Sequence, residues 1–385
     1  MAGVKDVFSP FNRVVANVEV VKTLKNEEMS SILFINTNAS KFKVVEQYSG
    51  AISDSDITKE FPGEKLQKKV RAALTQIDTS GNSLTPKYFY VADVPIGAEA
   101  VVNDVISQLE SAISNVVLKY QRHFCVLVFD DCTHLSDEIL ERLDNLLISW
   151  KCFAWLLFKE ISEITEKKSK LTYIGGIKAH KIGDSEYEEI ADAAFIGNVI
   201  SSGVGKADGE AKTLKGVTAD TLATTDLDNG DLTITEALKW SDEKNVTVYA
   251  TNLYGYDETS GMKFLNGEEL VNRWELCKVI LDLSMDLTQL RHERRRMGVA
   301  DFDEADVRTA IINRLDILKV DPKNPNKTTA LIADYKCSVI ELDRTLEDNI
   351  NKFAFDIQIS LRGVAKWFSL NATAYQDGRM FVEEA

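Results

Sequence analysis

Histidine is scarce in this sequence. There are four in 385 residues, His123, His134, His180 and His292, and none stands in an HxH or HExxH spacing. A histidine-built metal centre is therefore not expected. The five cysteines, Cys125, Cys132, Cys152, Cys277 and Cys337, form no Cys-x-x-Cys pair, and most lie inside apolar runs. They read as buried, reduced thiols and not as a disulfide frame. No apolar run approaches the roughly 20 residues that a membrane span needs. The opening stretch, MAGVKDVFSPFNRVV, lacks the apolar centre of a signal peptide. Positive charge is also in deficit: 45 Lys and Arg stand against 60 Asp and Glu, a net charge of -15. That balance argues against nucleic acid or an anionic membrane as the main partner, although a local basic face remains compatible with it. These absences together predict a protein made in a cytoplasm, with no cofactor.

What is present is a chain with 44% hydrophobic residues and room for two or three domains. Val14, Ala16, Val18 and Val20 alternate with other residues, the period of a strand, close to the start of the sequence. ILFI (32–35), YFYV (88–91), FCVLVF (124–129) and FAWLLF (153–158) are short apolar runs of the kind that form strands buried on both faces. Between them, residues 63–77, 98–119 and the stretch after Ser136 carry apolar positions at helical spacing, with Ser136 placed to cap. Residues 171–174 and a helix over 185–199 continue the alternation. This order predicts an α/β layer with a largely parallel sheet.

Residues 201–262 are poor in large apolar side chains and read as a loop-rich connecting region, apart from VTVYA at 246–250. A long helix is expected from an Asn266 cap with Glu269 completing a capping box, carrying Leu270, Trp274, Cys277, Leu281 and Leu287 and stopping at Gly298. A second helix is expected from near Asp303 to Asp321-Pro322. Strands then follow, in which Phe353, Phe355, Ile357, Ile359 and Leu361 alternate with smaller or polar residues. Phe368, Leu370, Ala372 and Ala374 do the same.

Chemistry-bearing motifs are sparse. Asp130-Asp131 closes a buried strand, the place where doubly wound sheets bind ligands and where two carboxylates could hold a magnesium ion. Neighbouring strand residues face opposite ways, however, and a strand end with an Asx-type turn before the next helix is the favoured reading of the pair. Gly203-Val204-Gly205-Lys206 lacks the upstream glycine of a phosphate loop, and Ala207 stands where Ser or Thr is needed. Asp226-Leu227-Asp228-Asn229-Gly230 has a glycine where a calcium loop needs its third ligand. One cluster stands out on this acidic chain: Arg291, Arg294, Arg295 and Arg296 crowd the end of the long helix. They suit the helix dipole and also suit docking to an acidic partner.

Several stretches together carry a likeness. They are VVEQYSGAISDSDITKEF with its Tyr48-Ser49, the Leu74–Gln76 helix end before YFYVADV, and RHFCVLVFDDCTHLSDEILERLDNLL. The Trp274 helix, VADFDEADVRTAIINRL, and the closing strands IADYKCSVIEL, FAFDIQISL and WFSLNATAY complete it. In this layout the chain resembles contractile tail sheath proteins of phages, in particular a compact branch of them. The likeness spans most of the chain and is least recognisable over 201–262.

The resemblance implies an α/β layered core plus an α+β C-terminal sheath domain of helices and a small mixed sheet, completed by strands from neighbouring subunits. It implies an N-terminal arm strand at 1–22, an α/β domain at 23–200, the connecting region at 201–262, the sheath domain at 263–365 and a C-terminal arm strand at 366–385. Val14, Ala16, Val18 and Val20 at one end, and Phe368, Leu370, Ala372 and Ala374 at the other, become the inter-subunit arms. The four arginines become the inner-tube contact. Implied partners are other copies in hexameric rings or a helical array, the tail tube protein, and baseplate and tail terminator proteins. Nucleic acid is not touched directly. The implied place is the virion tail, after assembly in the host cytoplasm, and no catalysis is expected. Two further readings stay open: a flavodoxin-like enzyme binding a nucleotide or Mg²⁺ at Asp130 and Asp131, and the sheath of a phage-derived bacteriocin.

Overall fold

The structure is a computed structural model. It describes residues 30–78, 81–120, 122, 124–183, 186–202, 213–223, 230–251, 255–296, 304–319, 332–343, 352–361, 367–375 and 380–384. The expected N-terminal strand with Val14, Ala16, Val18 and Val20, the glycines at 203 and 205, and Gly298 lie outside these. Two compact units divide the chain, one over Lys25–Val271 and the other from Asn272 onward.

In the first unit six strands form one sheet in the order β2-β3-β1-β4-β5-β6. They are β1 Ser30–Asn36, β2 Lys43–Ser49, β3 Tyr88–Asp93, β4 Phe124–Phe129, β5 Phe153–Phe158 and β6 Ile174–Lys178. All neighbours run parallel except β2, which lies antiparallel on β3. The apolar runs form these strands because both faces are covered, and every residue of β5 is buried. The helices are α1 Asp54–Glu60, α2 Glu64–Leu74, α3 Val102–Ser114, α4 Asp137–Trp150 and α5 Ala191–Ser202. A π turn at Asn115–Lys119 extends α3. The helices covering the sheet pack as two pairs, α2 with α5 and α3 with α4. Ser136 caps α4 as expected, its hydroxyl accepting the Ile139 N–H at 3.3 Å.

Two boundaries differ from the sequence reading. The helix expected at 185–199 begins instead at Ala191. Before it, β7 Lys181–Ile182 and β8 Glu186–Tyr187 form a small hairpin. Residues 191–200 are all buried, so this helix has no polar face from which a periodic reading could fix its start. The region 201–262 likewise contains more than loops. β9 Asp220–Ala223, β10 Leu232–Thr233, β11 Tyr249–Thr251 and β12 Asp257–Thr259 make a second sheet in the order β10-β9-β11-β12, with α6 at Ile234–Leu238. Its strands are only two to four residues long, too short for alternation to register. Thr247 bonds both ways with β6, Thr247 N–H to Gly176 O at 2.9 Å and Lys178 N–H to Thr247 O at 2.9 Å, and Leu265 N–H reaches Ile174 O at 3.0 Å. These bonds cover the outer edge of β6.

The second unit holds α7 Leu270–Arg296, α8 Glu304–Leu318 and a four-stranded antiparallel sheet. Its strands are β13 Ile332–Asp343, β14 Lys352–Leu361, β15 Trp367–Tyr375 and β16 Met380–Glu384, in that order. α7 has 27 residues, about 40 Å of helix. It begins at Leu270 and not at Asn266, because Gly267 takes a left-handed φ of +89° and the Glu268 carbonyl and Leu270 N–H are tied back to Phe264 and Met262, while Asn266 Oδ1 accepts the Glu268 N–H in a local turn. The core of this unit joins Leu276, Val279, Ile280, Leu283 and Leu287 of α7 to Val307, Ile311, Leu315 and Leu318 of α8. The sheet side of the core is Ile332, Phe355, Ile357 and Ile359. The period-2 pattern in β14 is thus one buried face, as expected from its sequence.

Candidate functional site

The parallel strands run β3-β1-β4-β5-β6, so the strand order reverses between β1 and β4. Open α/β sheets bind ligands at the carboxyl edge of such a switch point. Asp130 sits there, following β4, and is 2% exposed. Its Oδ1 accepts the Thr37 N–H at 2.7 Å and the Thr37 hydroxyl at 2.6 Å, and Oδ2 accepts from Asn38 Nδ2 at 3.1 Å. A carboxylate offers about four lone-pair sites, and three are taken by the loop that follows β1. The side chain ties the loop after β1 to the end of β4.

Asp131 turns elsewhere, as alternation along a strand predicts. It accepts the Thr133 N–H at 2.9 Å and hydroxyl at 2.6 Å on Oδ1, and Lys65 Nζ at 2.8 Å on Oδ2. Burial works against its charge, but Lys65 and the Thr133 bonds win and hold the carboxyl well below the usual range. Lys65 also reaches Glu189 at 3.2 Å, and Glu189 pairs with Lys159. The result is an alternating chain of four charges along the carboxyl edge. Cys132, between the two aspartates, offers little thiolate, since burial pushes its thiol up to about 11. Among the described residues no group of three or more His, Cys, Asp or Glu is placed to hold a metal ion. The chemistry this arrangement supports is ion pairing and strand anchoring.

Beneath the switch point lies a pair the sequence reading missed. Lys69 of α2 is 1% exposed and donates to Asp192 Oδ2 of α5 and to Phe129 O, both at 2.6 Å. In the text KKVR it looks like any surface lysine, and the usable signal was Asp192 inside the apolar run ADAAFIGNVI. The two helices meet closely beside it: a Cβ on Gly197 would come within 2.3 Å of Ala73 O. Gln76, noticed only as part of a helix end, is fully buried. It binds Lys215 twice, accepting its N–H and donating to its carbonyl, both at 3.0 Å. Asp220 of β9 is shared in the same manner, taking Lys178 Nζ on one oxygen and His180 Nδ1 on the other, each at 2.8 Å. Of the histidines, His134 is exposed and His180 is a partly buried hydrogen-bond partner.

In the second unit, Arg291, Arg294, Arg295 and Arg296 fall in the final turns of α7, which ends at Arg296. Their side chains lie outside the described residues. Phe368, Leu370, Ala372 and Ala374 lie in β15. This strand, expected as a separate arm, pairs here with β14 of its own chain from Trp367 to Tyr375. The register sets the four positions opposite Ile359, Ile357, Phe355 and Phe353 of β14. β16, which the sequence reading did not foresee, pairs on the far side of β15. α7 and α8 are tied by a two-pronged Arg314–Asp286 pair at 2.5 Å. Nearby on α7, burial raises the Asp282 carboxyl, with Arg314 and Lys278 pulling it back.

No protein-family model matches this sequence, and no curated protein matches it. Solved structures do. A chain of the anti-feeding prophage baseplate, from cryo-electron microscopy, matches with a TM-score of 0.55 at 13% identity, over 88% of this chain and 91% of that one. The sheath complex of an extracellular contractile injection system in its contracted state gives 0.53 at 14% identity, over 88% and 89%. The crystal structure of a sheath tail protein from Listeria innocua gives 0.53 at 10% identity, over 96% and 99%. The chain has a tail-sheath fold. The sheath fold therefore takes in both units, and Asp130, the best candidate for a ligand site, is a structural tie within it.

Proposed function

We propose that this protein is a structural subunit of a contractile tail sheath, polymerising around a tube and contracting to drive it through an envelope. The observation that carries this reading is the sheath fold along 88% to 96% of the chain. The engagement of Asp130 agrees with it, because three of its lone-pair sites are filled by the loop that follows β1. Partners on this reading are other copies in rings or a helical array, the tube protein, and proteins capping the two ends of the tail. The molecule acts without catalysis, in the tail of a particle assembled in a host cytoplasm. Anti-feeding prophage and injection-system structures among the neighbours favour, as a second reading, a phage-derived particle used for injection.

The C-terminal strands supply a means of linking copies. β15 is held to β14 by main-chain bonds, and an identical strand from another copy would make the same bonds. Exchange of β15 between copies conserves the hydrogen bonds, each worth about 1 kcal/mol net, so concentration and strain in the connection decide which partner is chosen. Leu361 and Trp367 are joined by five residues, 362–366, a length that reaches roughly 20 Å when extended. The strand at 14–20 would act likewise at the other end, and Arg291, Arg294, Arg295 and Arg296 would face the tube. Truncation after Leu361 is expected to leave a folded α/β unit and abolish large assemblies in sedimentation and negative-stain images. Normal tubes from the truncated chain would refute strand exchange. Reversal of Arg294, Arg295 and Arg296 to Glu is expected to weaken co-assembly with the tube protein and leave self-assembly intact.

A further inference from the structure

At the amino ends of the parallel strands, opposite the switch point, three tyrosines and three cations converge. Arg122 donates from Nε to the Tyr90 hydroxyl at 3.2 Å, and its guanidinium carbon lies 5.6 Å from the Tyr88 ring centroid. Lys87 Nζ is 5.4 Å from that same ring, and Lys119 Nζ is 4.8 Å from the ring of Tyr120. Tyr120 in turn packs on Tyr90 with centroids 5.0 Å apart. Rings within about 6 Å of a cation hold it by their negative faces. Lys119 and Arg122 are thus held by neutral rings and a hydroxyl, and among the described residues no carboxylate pairs with either. Many other cations of this unit do pair, including Lys43, Lys65, Lys68, Lys69, Lys159 and Lys178.

From this geometry we infer that the tyrosine–cation platform is a docking surface for carboxylate side chains of a second copy of this chain. The net charge of -15 makes the surface of another copy predominantly acidic, while the same charge repels nucleic acid. A guanidinium held by its Nε and its face still has both terminal nitrogens, which suit a carboxylate in two-pronged fashion. This inference rests on the sheath reading, since it supposes copies brought side by side. The platform belongs to the α/β unit and is separate from the strand exchange proposed for the C-terminal sheet.

The test compares the full chain with Lys119→Glu and with Arg122→Gln, measuring the critical concentration for assembly by sedimentation at several NaCl concentrations. Lys119 is exposed, so its replacement leaves the fold intact, and thermal melts verify that Arg122→Gln is folded. Wild-type assembly is expected to weaken as salt rises, with each variant raising the critical concentration about tenfold at low salt and flattening the salt dependence. Variants that assemble like the wild type at every salt concentration overturn the platform and leave the sheath reading standing. A wild-type chain that stays monomeric at all concentrations overturns both. Unchanged assembly, together with a fluorescent single-stranded oligonucleotide that binds the wild type and not Lys119→Glu, would assign the platform to nucleic acid instead.

Discussion

In the α/β unit both edges of the six-stranded sheet are guarded. β6 is covered by Thr247 and Leu265, while β2 is interrupted by a register shift between Lys43 and Glu46 and carries exposed charge. In the C-terminal unit the described sheet ends in β13, a 12-residue strand with two register shifts, and in the five-residue β16. Removing a central strand such as β4 or β5 from the first sheet would expose a core buried on both faces. Transfer of β15 and β16 from the second would leave the face of β14 to be covered by an equivalent strand. Proteins normally blunt their edges, and the contrast is the ground for placing the proposed strand exchange in the unit whose sheet is antiparallel.

The largest effect expected is at the buried pair. Lys69→Ala strands Asp192 without its cation and should cost about 3–5 kcal/mol, whereas Lys69→Met combined with Asp192→Leu should be close to neutral. Hydrogen exchange read by mass spectrometry should place the loss in α2 and α5, with α8 and β14 unaffected. Uniform loss through both units would show that they do not behave separately. Next in size is Ile357→Ala, a fully buried side chain of β14, which should cost about 2–5 kcal/mol. Here the same measurement should reverse the pattern, sparing the α/β unit.

The smallest effect compares two carboxylates of opposite sign. The folded-state carboxyl of Asp131 is depressed, so its stabilisation is fully present above the ordinary carboxylate pKa of about 4, begins to fall below it, and is lost only as pH drops through the depressed folded-state value. Allowing for its partial exposure, Asp131→Asn should cost about 1 kcal/mol or less at pH 7, and the difference from wild type should vanish in acid. Asp282 is raised by burial, so ionising it weakens the fold as pH rises through its elevated value. Asp282→Asn should therefore stabilise at neutral pH and become neutral in acid. Denaturant midpoints of both variants from pH 7 down through the strongly acid range check this, and slopes of the same sign would contradict it.

Much of this architecture could be read from the residues. FCVLVF and FAWLLF read as strands covered on both sides, and Phe355, Ile357 and Ile359 announced a sheet with one buried face. The likeness to sheath proteins drew on that same ordering. Other features left no local trace. Asp192 and Lys69 are 123 residues apart, and their pairing is a product of tertiary approach. The sheet at β9 to β12 is made of strands too short to alternate. The Asn266 cap lost to a turn in which Gly267 takes a φ of +89° and Leu270 N–H bonds back to Met262 O. Asp130-Asp131 was legible as a strand end, but whether its carboxylates were vacant or engaged depended on Thr37, Asn38 and Lys65, far away in the chain.

The most direct test of the account is negative-stain microscopy of the purified full chain across a range of protein concentrations. The account predicts rings or hollow tubes of uniform diameter, built from many copies. Discrete monomers at every concentration, with β15 and β16 protected from hydrogen exchange in each molecule, would contradict it.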